Sequence, residues 1–560
     1  MRVDLSYLGR SEVRSAADGL ELSLSPNLSR GRVFFDGRVK DPIRYREAMS
    51  ALHDVVVSDL RYKKRSGSAA YLAYLEAQKQ EEAALSKQVR AETKAEALSR
   101  QPKVPPKDLE KRFRAMHQKY WKARREWANE LQRTDPEMWR ALVPCDPVIT
   151  VAPDVVFFEG FAKDESAYGC LLIDRDAFEP GAAEGLGTTN VDYSMALYES
   201  IQTLRTYRPT RLTVDPHGFD VKVEGLPEHR EEKIDLPGSW LKGFGQITAA
   251  MMLPSRTVRL DVPAVYAVLS FLRRNKEKQG PRSLSFQLRP GQTPKLLLEP
   301  WGLTVDGGLR YDGPAEETIK VWGRRRLMAL SRLLPLADHV EVRLLGTGLP
   351  SIWTVVMPGA RFILGLSGWT TNDWSKGAAL DLLGGLDAPD PLTTARIAEH
   401  LQKERLVKPG NLAMTLALDP QKVGASLFLL AKQGQVIFDF AHGVHRYRPI
   451  LPVAMTPELL GPDHPELVGA REIIAHKGGA AVSRDEAVGK LRLVVGKVGD
   501  RTDVELAMDA DGIIKQGRCD CSYFYTSKLR KGPCRHLLVL RTTVLEGLRP
   551  SAKTGRWGWS

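Results

Sequence analysis

The chain has 560 residues, of which 43% are hydrophobic and 27% charged, a composition typical of a globular protein that excludes wholesale disorder. At roughly 100–200 residues per domain, this length predicts about three to five domains and excludes a single small one. No stretch approaches the ~20 apolar residues of a membrane helix, and the N-terminus lacks a signal-peptide pattern, so we expect a cytoplasmic protein.

The net charge of +13 is concentrated in two segments. Residues 61–133 carry 19 Lys or Arg against 9 Asp or Glu, and residues 515–556 carry 10 against 2. Basic segments on a nearly neutral chain are expected where contact with a polyanion is confined to particular surfaces. Charged helices are also commonly just solvated, so charge alone leaves nucleic-acid binding open.

The first 140 residues predict a small α+β cap followed by a basic arm. Residues 1–60 hold two strand-like stretches, LELSLS and RVFF, before a helix from Pro42 to Leu60. Residues 61–140 predict a hairpin of two helices, because three prolines interrupt the helical pattern at 101–106. The second helix has an apolar seam with the 3-4 spacing of a coiled coil, formed by Phe113, Met116, Tyr120, Ala123 and Trp127.

Residues 141–390 predict an α+β body of about three units, each a helix followed by antiparallel strands. The predicted helices span 193–207, begin at Pro263, and span 315–334. The predicted strands alternate apolar and polar residues, as in RLTV, SLSFQL and HVEVRLL. The whole chain therefore predicts a multidomain α+β fold.

Residues 391–452 predict three helices and a β-hairpin. The stretches TTARIAEHLQKERL, NLAMTLAL and DPQKVGASLFLLAKQG have helical patterns, and QVIFDFAHGVHRYRPIL predicts two strands around Gly443. This order resembles a winged helix-turn-helix, whose third helix enters the major groove; winged helices also dock proteins, so both roles stay open. His442 and His445 form an HxxH pair but lack two further ligands, so we interpret them as surface histidines.

Four residues of this segment are candidate nucleic-acid contacts. Lys422 and Ser426 lie on the predicted third helix. Arg446 and Arg448 lie on the predicted wing, where a guanidinium could contact a phosphate.

Residues 453–560 contain a metal-ligand pattern. Its residues are Cys519, Cys521, Cys534 and His536, with the spacing CxC, twelve residues, CxH. Three thiolates and one imidazole complete a tetrahedral zinc site and leave no position for water, so we expect a structural zinc ion. Alternation along a strand places the first two cysteines on one side, and Gly532-Pro533 predicts a turn before a helix.

The same segment predicts a basic surface beside the metal. The candidate nucleic-acid contacts are Lys528, Arg530, Lys531 and Arg535. Tyr523, Phe524 and Tyr525 lie nearby, and exposed aromatic rings beside basic groups can stack bases. We expect at least one of these three rings to fill the core of the finger instead.

The CxC…CxH pattern is similar to that of SWIM-type zinc fingers, and the preceding KLRLVVGKVGDRTDVELAMDADGIIKQGRCDC resembles the β-rich lead-in of that family. Further segments resemble bacterial SWIM-finger proteins, namely RVFFDGRVKDPIRYREAMSALHDVVVSDLRYK, FFEGFAKDESAYG, TTNVDYS, VWGRRRLMALSRLLP and FILGLSGWTTNDWS. The resemblance implies zinc binding and an association with a MoxR-type AAA+ ATPase and a von Willebrand factor A protein. It implies no particular biochemical activity.

No catalytic signature is recognisable in the sequence. The stretch GKLRLVVGK has six residues between its glycines where a P-loop has four, and Val498 replaces the Ser or Thr that would bind Mg²⁺. We therefore expect a non-enzymatic, zinc-binding adaptor that docks protein partners, with nucleic acid as an open second partner. The alternatives are a stand-alone DNA-binding regulator or defence factor, and a hydrolase whose site lies in residues 150–390.

Overall fold

The structure is a computed structural model. It describes residues 4–58, 146–214, 231–276, 283–368, 390–451 and 465–546 with short gaps, together with Trp374 and scattered positions from Asp108 to Thr134. The chain divides into two compact units, one of residues 59–143 and one of residues 1–58 and 144–560. Among the described residues, no helix combines the length and the apolar character needed to cross a bilayer.

In the unit of residues 59–143, the described residues from Lys111 to Thr134 are helical and exposed. Two residues of the predicted seam are among them: Met116, which is 65% exposed, and Ala123. Phe113, Tyr120 and Trp127 lie outside the described residues. The predicted hairpin of two helices stays a prediction.

The larger unit is a mixed α+β structure with several antiparallel sheets. Its helices are α1 (Pro42–Val56), α2 (Met195–Ile201), α3 (Gly238–Met252), α4 (Val262–Arg274), α5 (Pro391–Glu404), α6 (Pro409–Leu416), α7 (Pro420–Lys432), α8 (Pro465–Lys477), α9 (Ser522–Ser527) and α10 (Arg535–Glu546). Three short 3₁₀ helices are also described, at Arg175–Ala177, Arg324–Leu330 and Leu334–Leu336.

The strands are numbered in chain order. They are β1 (Asp4–Tyr7), β2 (Glu12–Ala16), β3 (Gly19–Leu24), β4 (Phe34–Val39), β5 (Val148–Val151), β6 (Val155–Phe161), β7 (Ala167–Asp174), β8 (Phe178–Glu179), β9 (Glu184–Gly185), β10 (Gly187–Asn190), β11 (Thr210–Val214), β12 (Glu231–Ile234), β13 (Arg256–Leu260), β14 (Leu284–Leu288), β15 (Lys295–Leu298), β16 (Leu303–Asp306), β17 (Glu317–Val321), β18 (His339–Leu344), β19 (Ser351–Met357), β20 (Ala360–Leu366), β21 (Leu406–Val407), β22 (Val436–Asp439), β23 (Val444–Tyr447), β24 (Ala481–Val488), β25 (Leu491–Val498), β26 (Arg501–Met508) and β27 (Ile514–Arg518).

An antiparallel eight-stranded sheet lies at the centre of this unit, in the order β10-β5-β6-β7-β20-β19-β18-β13. Strands β6 and β7 are buried on both faces. Helix α1 packs on one face, where Phe158 and Leu171 belong to the larger core. On the other face, Trp240 and Phe244 of α3 contact Phe161, with ring centroids 5.5 and 4.9 Å apart. Burial on both faces explains why these strands are almost continuously apolar.

Residues 1–58 belong to the same compact unit as residues 144–560. The predicted strands and helix are confirmed as β3, β4 and α1, and Asp41 caps α1 by accepting from the Arg44 amide at 3.0 Å. Strand β11, from residues 210–214, lies between β3 and β4 in the sheet β2-β3-β11-β4-β8. It pairs parallel to β3 and antiparallel to β4.

The body has two of the three predicted helices. Helices α2 and α4 occur where expected, and Asp261 caps α4. The predicted helix at 315–334 is wrong, because residues 317–321 form β17, which pairs with β14, and only short 3₁₀ turns follow. The β-branched residues Thr318, Ile319 and Val321 favour a strand, and Gly323 at φ +87° ends the segment.

Residues 391–451 contain α5, α6 and α7, followed by β22 and β23, and the sheet has the order β21-β23-β22. Helix α5 begins at Pro391 and is capped by Asp390, whose side chain accepts from the amides of Leu392 and Thr393. Helix α7 packs against α3, where a Cβ on Gly245 would lie 2.8 Å from the Lys432 carbonyl oxygen. Part of α7 is therefore covered by the body.

Candidate metal centre

Three elements of the C-terminal module, residues 465–546, bring the four metal-ligand residues together. Strand β27 ends at Arg518, so Cys519 follows the edge of the sheet β24-β25-β26-β27. Cys521 caps α9, with its sulfur accepting from the Phe524 amide at 3.4 Å. Gly532, at φ +92°, lies in the turn before α10, and Cys534 and His536 flank the first residue of that helix. The predicted turn and helix are confirmed here, but Cys519 and Cys521 follow the strand and do not lie in it.

The ligand atoms form a compact cluster. The sulfurs of Cys519, Cys521 and Cys534 and a ring nitrogen of His536 all lie within 4.8 Å of one another. The Cys519 sulfur is 3.6 Å from His536 Nδ1. The three cysteines are 8%, 6% and 0% exposed, so bulk water has little access to their sulfurs. The donor set fits one tetrahedral metal ion.

The thiols perturb one another strongly. Hydrogen bonds to its sulfur, first from Cys534 and then from His536, lower the pKa of Cys519 to about 4 against the opposing effect of burial. The hydrogen bond from Cys534 to Cys519, together with burial, raises the pKa of Cys534 well above its usual value. Metal binding at neutral pH would therefore release protons from the cluster, because the ion is coordinated by thiolates.

The module has its own hydrophobic core beneath this cluster. Leu537 and Leu540 of α10 are fully buried there, and a Cβ on Gly517 of β27 would lie 2.9 Å from Leu537. Phe524 is 4% exposed, so the expectation that at least one aromatic ring fills the core is confirmed. The Cys cluster thus joins a helix and a sheet that are already packed together.

Of the four predicted basic contacts of this module, the structure describes Lys528 and Arg535. Tyr525 is 76% exposed, and the Lys528 ammonium lies 5.4 Å from its ring centroid and 5.3 Å from that of Phe524. Arg530 and Lys531 lie outside the described residues.

Arg535 does not belong to an open basic surface. Its backbone amide and its guanidinium both donate to Glu466 of α8, at 2.8 Å each. This contact joins α8 to the first turn of α10, beside the cysteines. Short sequence spacing does not reveal Glu466 as a partner, because it lies 69 residues before Arg535 in the chain.

The predicted contacts on the third helix of residues 391–451 differ in exposure. Lys422 is exposed on α7. Ser426 is fully buried, and its hydroxyl lies 3.1 Å from that of Thr394 on α5. Ser426 therefore joins two helices and does not reach a base or a phosphate in this structure.

Arg446 is a buried ion-pair residue and not a phosphate contact. Its side chain is 1% exposed and donates to Asp439 at 2.8 Å and to Asp154 at 2.9 Å. Asp154 comes between β5 and β6, so this interaction attaches the β22–β23 hairpin to the eight-stranded sheet. The guanidinium is enclosed by protein, which corrects the prediction for this residue.

Arg448 is likewise enclosed. It is 0% exposed, donates to the Thr248 hydroxyl at 3.1 Å, and lies 3.6 Å from the fully buried carboxylate of Glu159. Its guanidinium also stacks 5.0 Å from the Phe244 ring centroid on α3. The positive charge of Arg448 therefore interacts with groups inside the protein and does not reach the surface.

Of the two histidines of the HxxH pair, which the sequence suggested to be surface residues, His445 is buried and His442 has a side chain that is 26% exposed. His445 is 3% exposed, and burial lowers its pKa to about 4. His442 lies between two carboxylates, with Nδ1 2.7 Å from Asp439 and Nε2 3.6 Å from Asp174. Hydrogen bonds to Asp174 and Asp439 raise the pKa of His442 to about 9, although burial and the nearby Arg361 oppose this.

The raised pKa predicts a pH-dependent contribution of His442 to stability. The stabilisation by His442 is fully present below pH 6.5, the pKa of histidine in the unfolded state, and is lost as the pH rises through the folded-state pKa of about 9. We expect His442→Asn to reduce the free energy of unfolding by about 1–3 kcal/mol at pH 6 and by much less at pH 9.5. Thermal unfolding of both proteins at three pH values measures this, and an equal difference at every pH would contradict it.

Comparisons with known proteins give no close relative. No known protein-family profile and no curated protein matches the chain. Some solved structures show weak similarity over 40% of this chain. The proliferating cell nuclear antigen of Entamoeba histolytica is 14% identical with a TM-score of 0.29, and 89% of it is covered. The PCNA2–PCNA3 complex of Sulfolobus tokodaii is 13% identical with a TM-score of 0.29 and 90% coverage. These TM-scores are too low to assign a fold or a function.

Proposed function

We propose that this protein is a zinc-binding adaptor without catalytic activity, and that its C-terminal module is a SWIM-type zinc finger. The convergence of three buried thiols and one imidazole within 4.8 Å carries the proposal. Zn–S bonds of about 2.3 Å place tetrahedral ligands roughly 3.8 Å apart, close to the 3.6 Å between Cys519 and His536. A closed set of four protein ligands leaves no position for substrate, so the ion has a structural role.

We also propose that residues 391–451 are a winged helix used for protein docking. Three helices followed by a β-hairpin support this interpretation. Protein docking is favoured over DNA readout because Ser426, Arg446 and Arg448 are buried and α7 packs partly against α3. Leu392 and Met414, on the first two helices of the segment, are 71% and 75% exposed, and exposed apolar side chains suit a protein partner.

The proposed partners are a MoxR-type AAA+ ATPase and a von Willebrand factor A protein, as the resemblance to bacterial SWIM-finger proteins implies. Size-exclusion chromatography of the three purified proteins tests this, and we expect at least one stable complex with the full chain. A variant lacking residues 68–133 should keep its metal and the fold of the larger unit but bind the partners less tightly. Absence of any complex would contradict the adaptor proposal. Loss of folding in the deletion variant would contradict the expectation that residues 68–133 contribute to partner binding and not to the fold.

Single-stranded nucleic acid is a second candidate ligand, supported by the exposed Tyr525 ring beside Lys528. Stacking of one base on an aromatic ring contributes about 1–3 kcal/mol. We therefore expect Tyr525→Ala to weaken binding of a labelled oligothymidylate about fivefold or more, measured by fluorescence anisotropy.

Two controls separate stacking from general charge. Tyr207→Ala removes a tyrosine that is 79% exposed but lies far from the metal cluster in the sequence, and it should leave the affinity unchanged. Lys528→Ala should reduce the slope of log affinity against log salt by about one if this ammonium contacts a phosphate. Equal losses in both tyrosine variants would remove this candidate.

A further inference from the structure

A cavity of about 240 Å³ lies between the first two turns of α1, strand β7 and the β19–β20 turn. Its floor is apolar and includes Leu171 and Ile173, which are 0% and 5% exposed. Its rim carries Lys40 and Asp176, which are exposed. The cavity is therefore amphipathic, with an apolar interior and a polar opening.

Two buried polar atoms of the lining residues have no hydrogen-bond partner among the residues that the structure describes. They are the hydroxyl of Tyr45, a residue that is 3% exposed, and Nε of Arg44. Burial raises the pKa of Tyr45 above its usual value, so the hydroxyl stays protonated and remains a donor. A buried donor without an acceptor is unfavourable, and a ligand oxygen that reached either atom would recover part of that free energy.

The charges at the opening limit which ligands fit. Lys40 Nζ donates to the Asp176 carbonyl at 2.6 Å, and Arg44 donates to the Pro358 carbonyl at 2.6 Å and pairs with Asp41 at 3.0 Å. These contacts hold both cations at the rim. The carboxylates of Asp41 and Asp176 lie there too, so the formal charge is balanced and a polyanion is disfavoured.

We propose that this cavity binds a small organic carboxylate with an apolar body. The apolar part would lie against Leu171 and Ile173, and one carboxylate would accept from Tyr45 and from Nε of Arg44. Pockets for drug-sized ligands measure about 300–1,000 Å³, so a cavity of 240 Å³ selects smaller molecules. None of the described lining residues is Ser, Cys or His, and the proposal concerns binding alone.

Binding of benzoate and of octanoate to the full chain tests the proposal, with benzyl alcohol as a probe that lacks the carboxylate. Isothermal titration should give a dissociation constant below about 1 mM for at least one of the two acids and weaker binding of benzyl alcohol. Tyr45→Phe and Arg44→Gln should each weaken binding of that acid about fivefold or more. If neither acid binds, or if both variants bind as the parent does, the proposal is wrong.

The ligand-free stability of the variants gives a second readout. Tyr45→Phe removes a hydroxyl without a partner and keeps the ring, so its thermal midpoint without ligand should equal or exceed that of the parent. The same variant should lose most of the rise in midpoint that saturating carboxylate produces in the parent. A lower midpoint without ligand would show that the hydroxyl already has a partner, which would overturn the proposal.

Discussion

Cys534→Ser should reduce the zinc content from one equivalent per chain to below about 0.2, measured by inductively coupled plasma mass spectrometry. Cys534 is fully buried and directly precedes α10, so its sulfur is one of the two ligands, with His536, that fix the helix to the cluster. Zinc contributes an apparent 10–16 kcal/mol, as an order of magnitude, to the folding of small zinc-finger peptides. We therefore expect the module of residues 465–546 to unfold locally, with faster hydrogen exchange there and an unchanged thermal transition for the rest.

Two further variants test whether the donor set causes this loss. Cys170→Ala removes a buried cysteine of β7 that is remote from the cluster in the sequence, so it should leave the zinc content at one equivalent. His536→Cys keeps four N or S donors and should retain zinc, whereas His536→Ala should not. Full zinc content in Cys534→Ser, or loss of the transition of the whole protein, would contradict the proposed structural site.

Arg446→Ala should be the most destabilising change in the β22–β23 hairpin. It removes the guanidinium that faces Asp439, whose side chain is 2% exposed, and it leaves that buried carboxylate with His442 as its neighbouring cation. Breaking a buried ion pair in this way costs about 3–5 kcal/mol. The decrease is measured as a shift of the urea unfolding midpoint.

Lys422→Ala is the matched control, because Lys422 is a basic residue of the same segment that is exposed. It should change the unfolding midpoint very little. If Arg446→Ala kept the parent stability and instead weakened nucleic-acid binding, the role suggested by the sequence would be restored and the ion-pair interpretation would be wrong.

The metal cluster could be predicted from the sequence because its geometry depends on short spacings. Two cysteines separated by one residue, and a Cys and His at the start of a helix, are positioned by local backbone structure. The role of Arg446 could not be predicted in the same way. Its partner Asp154 is 292 residues away, and nothing in the local pattern VHRY shows that a distant loop covers this arginine.

In the fold too, elements determined by local sequence could be predicted, and elements determined by pairing with a distant strand could not. Helix α1 was predictable, because Asp41 and Pro42 mark its start and its apolar residues follow a helical period. The error at residues 315–334 arose because a short apolar pattern fits a helix and a strand equally well. Pairing with β14, about 30 residues earlier, selects the strand.

The place of β11 between β3 and β4 also affects how the protein folds as it is synthesised. Strands β3 and β4 do not pair with each other and each contacts β11, so their sheet cannot form until residue 214 has left the ribosome. At about 5–20 residues per second, β3 waits roughly 10–40 seconds for this partner after its own synthesis. During that interval the edge of β3 that later pairs with β11 is exposed to other chains, so expression at high levels should favour aggregation through the N-terminal strands.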